Sequence, residues 1–262
     1  MKDKKEKLKN LASDPKFISG IYNYCDRWCE RCPFTNRCLT YAMTEPRDSD
    51  DELDLNNEKF WIKIRESFQL AFELIHGMAD EMGIDLTDID DKDYSQSRER
   101  IDKEVRTQPI IIAATQYAKI VDTWQKENEE LFSEKKNELQ QLAEIGIELN
   151  KIQEQAVKFQ DLFDVIRWYQ IFIAAKLSRA VGGLYDEPGM DLEDYPKDYD
   201  GSAKIAVIAI ERSIAAWGEL LQQFPQKEDS LLAILVLLTK ILKETEKIFP
   251  NARAFKRPGF DD

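Results

Sequence analysis

The sequence predicts an all-α protein, a bundle of five or six helices with a compact cysteine-rich unit near the N-terminus. Only 10 glycines and 9 prolines occur in 262 residues, and the dominant side chains include good helix formers. Apolar residues also recur at spacings of three and four along most of the chain, which is the helical period. All four cysteines lie between residues 25 and 38.

The first helix of the bundle is predicted at residues 58–83. Its apolar residues recur every three or four positions from Trp61 to Met82 and form one stripe. Gly83 suits the C-terminal end because glycine readily takes the left-handed conformation found there. A shorter helix is expected at residues 95–107.

Pro109 marks the start of the third helix, since proline suits the first turn of a helix. The helical pattern then extends to residue 150. Its middle, Lys126–Gln141, is so polar that we expect it to face solvent or to project from the body.

Three further helices complete the predicted bundle. Residues 159–181 are apolar almost all round, which is typical of a central, buried helix. Pro225 separates the last two helices, at residues 202–224 and 230–249.

Shifts in composition divide the chain into five segments. A charged leader is expected at residues 1–15, and the cysteine-rich unit at residues 16–45. Residues 46–57 are acidic and lack apolar periodicity, so they predict a linker. The helical bundle then takes residues 58–249, and residues 250–262 form a tail.

The charge balance restricts the possible partners. The chain carries 50 acidic and 37 basic side chains, a net charge of −13 at pH 7. Such a surface is repelled by nucleic-acid phosphates and by anionic membranes. The sequence contains no apolar run near the ~20 residues that span a bilayer, and its N-terminus is charged. We therefore expect a cytoplasmic protein without a membrane or nucleic-acid partner; the oligomeric state stays open.

The cysteines are spaced Cys25-x3-Cys29-x2-Cys32-x5-Cys38. Disulfides are rare in the cytoplasm, so four cysteines this close together favour metal binding. A C-x2-C pair places two thiolates on a tight turn, and an x3 gap places Cys25 and Cys29 one helical turn apart. Four thiolates satisfy zinc in a four-cysteine site or a [4Fe–4S] cluster. The predicted fold is therefore an all-α bundle with an N-terminal four-cysteine metal-binding unit.

The last three cysteines form the loop CERCPFTNRC, which reads C-x2-C-x5-C. This loop resembles the iron–sulfur cluster loop of the helix–hairpin–helix DNA glycosylases, although the first gap is x3 here and x6 in that family. The resemblance implies that Cys29, Cys32 and Cys38 ligate a cluster, with Cys25 as the fourth ligand. The first three cysteines are also similar to the C-x3-C-x2-C motif of radical S-adenosylmethionine enzymes, but Arg31 stands where that motif has an aromatic residue. We expect a [4Fe–4S] cluster, with one Zn²⁺ as the alternative.

Glu211 is a second candidate site residue. The helical period places it beside Val207 and Ile214 on a strongly apolar helix, so we expect it to be at least half-buried. A buried carboxylate needs a partner or a shifted pKa. Arg167, on the predicted central helix, is the candidate partner. The pair predicts either a structural ion pair or a polar pocket.

Three functions follow from these patterns, and the third, after the two described next, is an enzyme with a polar pocket near Glu211 and Arg167. The first is a cytoplasmic helical metalloprotein whose [4Fe–4S] cluster has a structural or redox role. The alternative is a non-enzymatic interaction module, in which zinc stabilises the N-terminal unit and Lys126–Gln141 docks a protein partner. The sequence contains no Gly-rich phosphate loop and no G-x-S-x-G motif, and it assigns no reaction.

Overall fold

The computed structural model describes residues 2–44, 58–86, 91–145, 149–186 and 197–261. All regular structure in these ranges is helical, which confirms the all-α class. They contain nine α-helices instead of five or six. The helices are α1 (Lys2–Ser13), α2 (Leu39–Ala42), α3 (Glu58–Met82), α4 (Asp91–Thr107), α5 (Pro109–Glu127), α6 (Glu129–Glu144), α7 (Leu149–Asp186), α8 (Asp198–Gln223) and α9 (Glu228–Ile248).

The three additional helices have two origins. The predicted leader is helical in α1, and the cysteine-rich stretch ends in the short α2. The third helix arises because the predicted helix 109–150 is broken at Asn128, which separates α5 from α6. The Asn128 side chain donates a hydrogen bond to the carbonyl oxygen of Trp124 at 2.7 Å. A carbonyl at the end of α5 is thus satisfied by a side chain instead of by the next turn.

The described residues form two compact units. The first takes those of 1–22, 29–98 and 258–260, and the second takes those of 23–28, 99–257 and 261. In this division, α3 and the start of α4 belong with the cysteine-rich stretch. Residues 46–57, predicted as a linker, lie outside the described residues.

Helices α5, α7, α8 and α9 build the core of the second unit. Helix α7 is central, as predicted for residues 159–181, but it is not buried all round, since Ile171 is 70% exposed. Its buried face includes Ile166, Tyr169, Ile173 and Leu177. Burial of each such side chain contributes about 1.5–3 kcal/mol to the free energy of unfolding.

The first unit has little core of its own. Among its described side chains, Ile21 and Ala79 are the only buried apolar ones. The predicted apolar stripe of α3 is largely exposed. A unit with so few buried side chains needs another source of stability, such as a metal or a partner.

The described part of the chain contains no helix with the length and apolar character needed to cross a membrane.

Candidate metal centre

The cysteine stretch folds as short 3₁₀ turns, Ile21–Asn23, Cys29–Arg31 and Thr35–Arg37, followed by α2. All four cysteines are half-buried thiols that are not joined as disulfides. The x3 gap predicted that Cys25 and Cys29 lie one turn apart on the same helix. They do not, because residues 24–28 are non-helical. Arg27 has a φ of 60° there, a left-handed conformation that few residues other than glycine adopt.

Cys29 and Cys32, in the first unit, lie at the two ends of one tight turn. The backbone N–H of Cys32 donates to the carbonyl oxygen of Cys29 at 3.2 Å, as expected for a C-x2-C pair. The sulfur of Cys32 in turn accepts the backbone N–H of Phe34 at 3.4 Å. The turn therefore presents a sulfur that already accepts one hydrogen bond from the backbone.

Cys25 lies in the second unit and also accepts a backbone N–H, from Arg27 two positions along the chain. Burial raises the pKa of the Cys25 thiol, whereas this hydrogen bond and the positive charges of Arg27 and Lys176 act to lower it. Burial also lowers the pKa of Lys176, and repulsion by Arg179 adds to that effect. The burial effect is the larger one, so the pKa of the Cys25 thiol is raised overall, and the nearby cations offset only part of that rise.

Asp26 anchors the segment that carries Cys25 within the second unit. Its carboxylate accepts hydrogen bonds from the Tyr169 hydroxyl at 2.8 Å and from Arg212 Nη1 at 2.7 Å. Its carbonyl oxygen accepts the indole N–H of Trp168 at 2.8 Å. The Trp28 ring stacks on Trp168 with centroids 5.0 Å apart and planes 13° from parallel.

A second polar contact holds the same segment from the other side of Cys25. The Tyr24 hydroxyl donates to Asp198 Oδ1 at 2.9 Å, and Arg179 Nη2 binds the same oxygen at 2.8 Å. Tyr24 also makes an edge contact with the ring of Phe255, with centroids 4.7 Å apart. Residues 23–28 are therefore fixed by side chains of α7 and α8 on both sides of the cysteine.

Stability should fall at alkaline pH because of these two tyrosines. Burial, followed by the hydrogen bond to Asp198, raises the pKa of Tyr24 to about 12. Burial and the hydrogen bond to Asp26 raise the pKa of Tyr169 to about 12, against an opposing effect of Arg212. Each folded-state pKa exceeds the ordinary value of about 10, so this stabilisation is complete below that pH. It is lost as the pH rises from about 10 towards 12.

Urea unfolding at several pH values measures this loss directly. Tyr24→Phe/Tyr169→Phe should flatten the decline of the unfolding free energy above pH ~10, because the titrating groups are gone. Tyr41→Phe, which changes an exposed tyrosine, is the matched control. An equal decline in the wild type and the double variant would contradict this account.

The predicted pair of Glu211 and Arg167 is not formed. Glu211 is exposed and binds Arg253 Nη2 at 2.7 Å, so its partner comes from the segment after α9. Arg167 instead lines a cavity of about 720 Å³ between α5, α6 and α7. The neighbour of Glu211 on α8, Arg212, makes the contact with α7, because adjacent residues on a helix point in different directions.

The polar stretch Lys126–Gln141 is only partly solvent-facing. Most of it lies in α6, whose Leu139 is buried and whose Phe132 packs against Phe163 with ring centroids 4.4 Å apart. The outer face of α6 is exposed, as its polar composition predicts.

No pattern in the sequence indicates that Asp26, Tyr169 and Arg212 act together, since they are 43 to 186 residues apart. Among the residues that the structure describes, no three cysteine, histidine or acidic side chains form a group that could hold a metal ion. No protein family, curated protein or solved structure matches this chain.

Proposed function

We propose that this protein is a cytoplasmic metalloprotein in which Cys25, Cys29, Cys32 and Cys38 bind one metal centre. A [4Fe–4S] cluster is the first candidate and a single Zn²⁺ is the alternative. The observation that carries the proposal is that Cys25 and Cys32 each accept a backbone N–H from the residue two positions on. Such bonds stabilise a thiolate, and in iron–sulfur proteins they help set the reduction potential.

The sparse core of the first unit supports the same proposal. With Ile21 and Ala79 as its only buried apolar side chains among those described, packing supplies little stability to residues around Cys29, Cys32 and Cys38. Metal–thiolate bonds supply such stability in small units because the free energy of binding becomes free energy of folding. A structural role for the centre follows most directly, and a redox role would add electron transfer to the same ligands.

Among the described residues, Cys29, Cys32 and Cys38 of the first unit form no group that already holds a metal ion, so metal binding has to draw these three sulfurs together. In the second unit, the anchors of Asp26 and Tyr24 fix the chain on either side of Cys25. We therefore expect metal binding to order the turns around Cys29, Cys32 and Cys38 more than residues 23–28.

Metal analysis of anaerobically purified protein tests the proposal. A [4Fe–4S] cluster gives a brown protein with broad absorbance near ~400 nm and about four irons and four sulfides per chain. One zinc per chain in a colourless protein identifies the alternative. Cys25→Ser and Cys32→Ser should each lose most of the metal.

Asn36→Ser is the matched control, because it alters an exposed side chain of the same stretch without removing a sulfur. It should keep the full metal content. Substoichiometric iron and zinc in the wild type, unchanged by both cysteine substitutions, would overturn the proposal.

The second candidate function is that of a protein-interaction module whose N-terminal unit is held by zinc. The exposed apolar face of α3 favours it, because monomeric proteins rarely expose a large contiguous apolar patch. This surface replaces Lys126–Gln141 as the docking site of that hypothesis, since α6 uses its apolar side chains within the second unit.

A further inference from the structure

Helix α3 carries a continuous row of exposed apolar side chains. Each of the six is more than half exposed, although four of them are aromatic or β-branched residues that are usually buried. They are Trp61, Phe68, Phe72, Ile75, Met78 and Met82. Burying them would remove all six side chains from water.

The row has the seven-residue period of a coiled coil. One set of apolar residues recurs every seven positions, at Trp61, Phe68, Ile75 and Met82. A second apolar residue lies three positions after each of the first three, at Ile64, Ala71 and Met78. These are the a and d positions of three consecutive heptads, all of them apolar. A repeat of this length is typical of a helix that packs along another helix of the same kind.

The distribution of charge indicates the orientation of that second helix. Residues 58–67 contain three basic and two acidic side chains, whereas residues 68–82 contain three acidic side chains and no lysine or arginine. Two copies of α3 in parallel would bring the acidic halves together. Two antiparallel copies would place each acidic half beside a basic half, which is favourable.

Side-chain size indicates the same orientation. Antiparallel pairing of a with d positions lets Trp61 face Met78, Ile64 face Ile75, and Phe68 face Ala71 of the other copy. Large and small side chains then alternate across the seam, which gives layers of similar width. Parallel pairing would instead place two copies of Trp61, and two of Phe68, in the same layer.

We propose that the exposed apolar face of α3 binds the same face of a second copy of this chain as an antiparallel helix pair. The proposal deepens the second candidate function and does not depend on the identity of the metal. The pair would bury six aromatic side chains, three from each copy, and would supply the packing that the first unit lacks.

Analytical ultracentrifugation of the purified full chain over a range of concentrations tests the pairing. A thiol reductant is kept present, so that the cysteine thiols cannot link two copies covalently. The wild type is expected to sediment as a dimer at ~100 μM, and Phe68→Glu as a monomer, since a charge in the seam is costly to bury. Gln69→Glu is the matched control; it adds the same charge at the next position, outside the seam, and should remain dimeric.

Arg65→Glu tests the orientation, because Arg65 is exposed and flanks the seam at an e position. In the antiparallel pair it weakens attraction to the acidic half of the other copy, so the dissociation constant should rise several-fold at low salt. In a parallel pair it would relieve repulsion between the basic halves, and the dissociation constant would fall. A tighter Arg65→Glu dimer would therefore overturn the antiparallel arrangement.

A wild type that stays monomeric at ~100 μM would overturn the pairing altogether. The same samples are analysed for iron and zinc, and Cys32→Ser is sedimented beside them. A dimeric wild type that contains neither iron nor zinc would contradict only the metal proposal. Loss of the dimer in Phe68→Glu with full metal content shows that the two features are separate.

Discussion

Trp217→Ala is expected to lower the free energy of unfolding by about 3–5 kcal/mol, the usual cost of truncating a fully buried tryptophan. Trp217 lies on α8 and is fully buried in the core of the second unit. Its ring meets Trp124 of α5 edge-on, with centroids 5.0 Å apart and planes at 89°. Its indole N–H donates to the Tyr117 hydroxyl at 3.1 Å. The truncation therefore leaves a large cavity and removes a hydrogen bond at a buried hydroxyl.

Urea unfolding followed by far-ultraviolet circular dichroism measures this effect. Trp217→Phe should cost less, roughly 1–3 kcal/mol, because it retains part of the ring volume but removes the N–H that binds Tyr117. The free energy of unfolding should therefore decrease from the wild type to Trp217→Phe and again to Trp217→Ala, because the cavity grows in that order. A loss below ~1 kcal/mol for Trp217→Ala would contradict the central position of this residue.

Gly201→Ala should destabilise the protein by about 1–3 kcal/mol, although alanine is a better helix former than glycine. A methyl group on Gly201 would lie 2.5 Å from Cδ1 of Tyr24 and 2.7 Å from Cζ of Phe255, well inside van der Waals contact. Both rings would have to move. Since Tyr24 binds Asp198 and adjoins Cys25, the substitution should also loosen the segment that carries this cysteine.

Gly218→Ala is a matched control on the same helix. A methyl group there would meet no atom within 4 Å, so only helix propensity changes. We expect Gly218→Ala to stabilise the protein by about 0.5–1 kcal/mol. Replacing glycine by alanine should thus lower the free energy of unfolding at position 201 and raise it at position 218, as measured by urea unfolding. Equal effects at both positions would show that Tyr24 and Phe255 do not crowd Gly201.

The helices of the second unit could largely be predicted, because helical periodicity is a local property of the sequence. The observed α8 (Asp198–Gln223) and α9 (Glu228–Ile248) lie within a few residues of the predicted 202–224 and 230–249. The break at Asn128 was missed, because one polar residue does not interrupt the apolar period. Helix α1 was missed because its charged sequence lacks an apolar stripe.

The candidate site was only partly predictable, for a different reason. Spacing identifies Cys29 and Cys32 as the ends of one turn, since a turn depends on neighbours in sequence. The partners of Asp26 and Glu211 come from distant segments, and periodicity shows which face a side chain lies on but not what packs there. Arg253, the partner of Glu211, is 42 residues away and follows the last helix.

By itself, the sequence determined the all-α class, the positions of the long helices and the grouping of four thiols in 14 residues, because each depends on residues close along the chain. Tertiary structure decided that Asp26 and Tyr24 anchor the segment of Cys25, that Glu211 pairs with Arg253, and that the apolar face of α3 stays exposed. These features depend on which helices pack together, and that is set by complementary shape and charge across the whole fold.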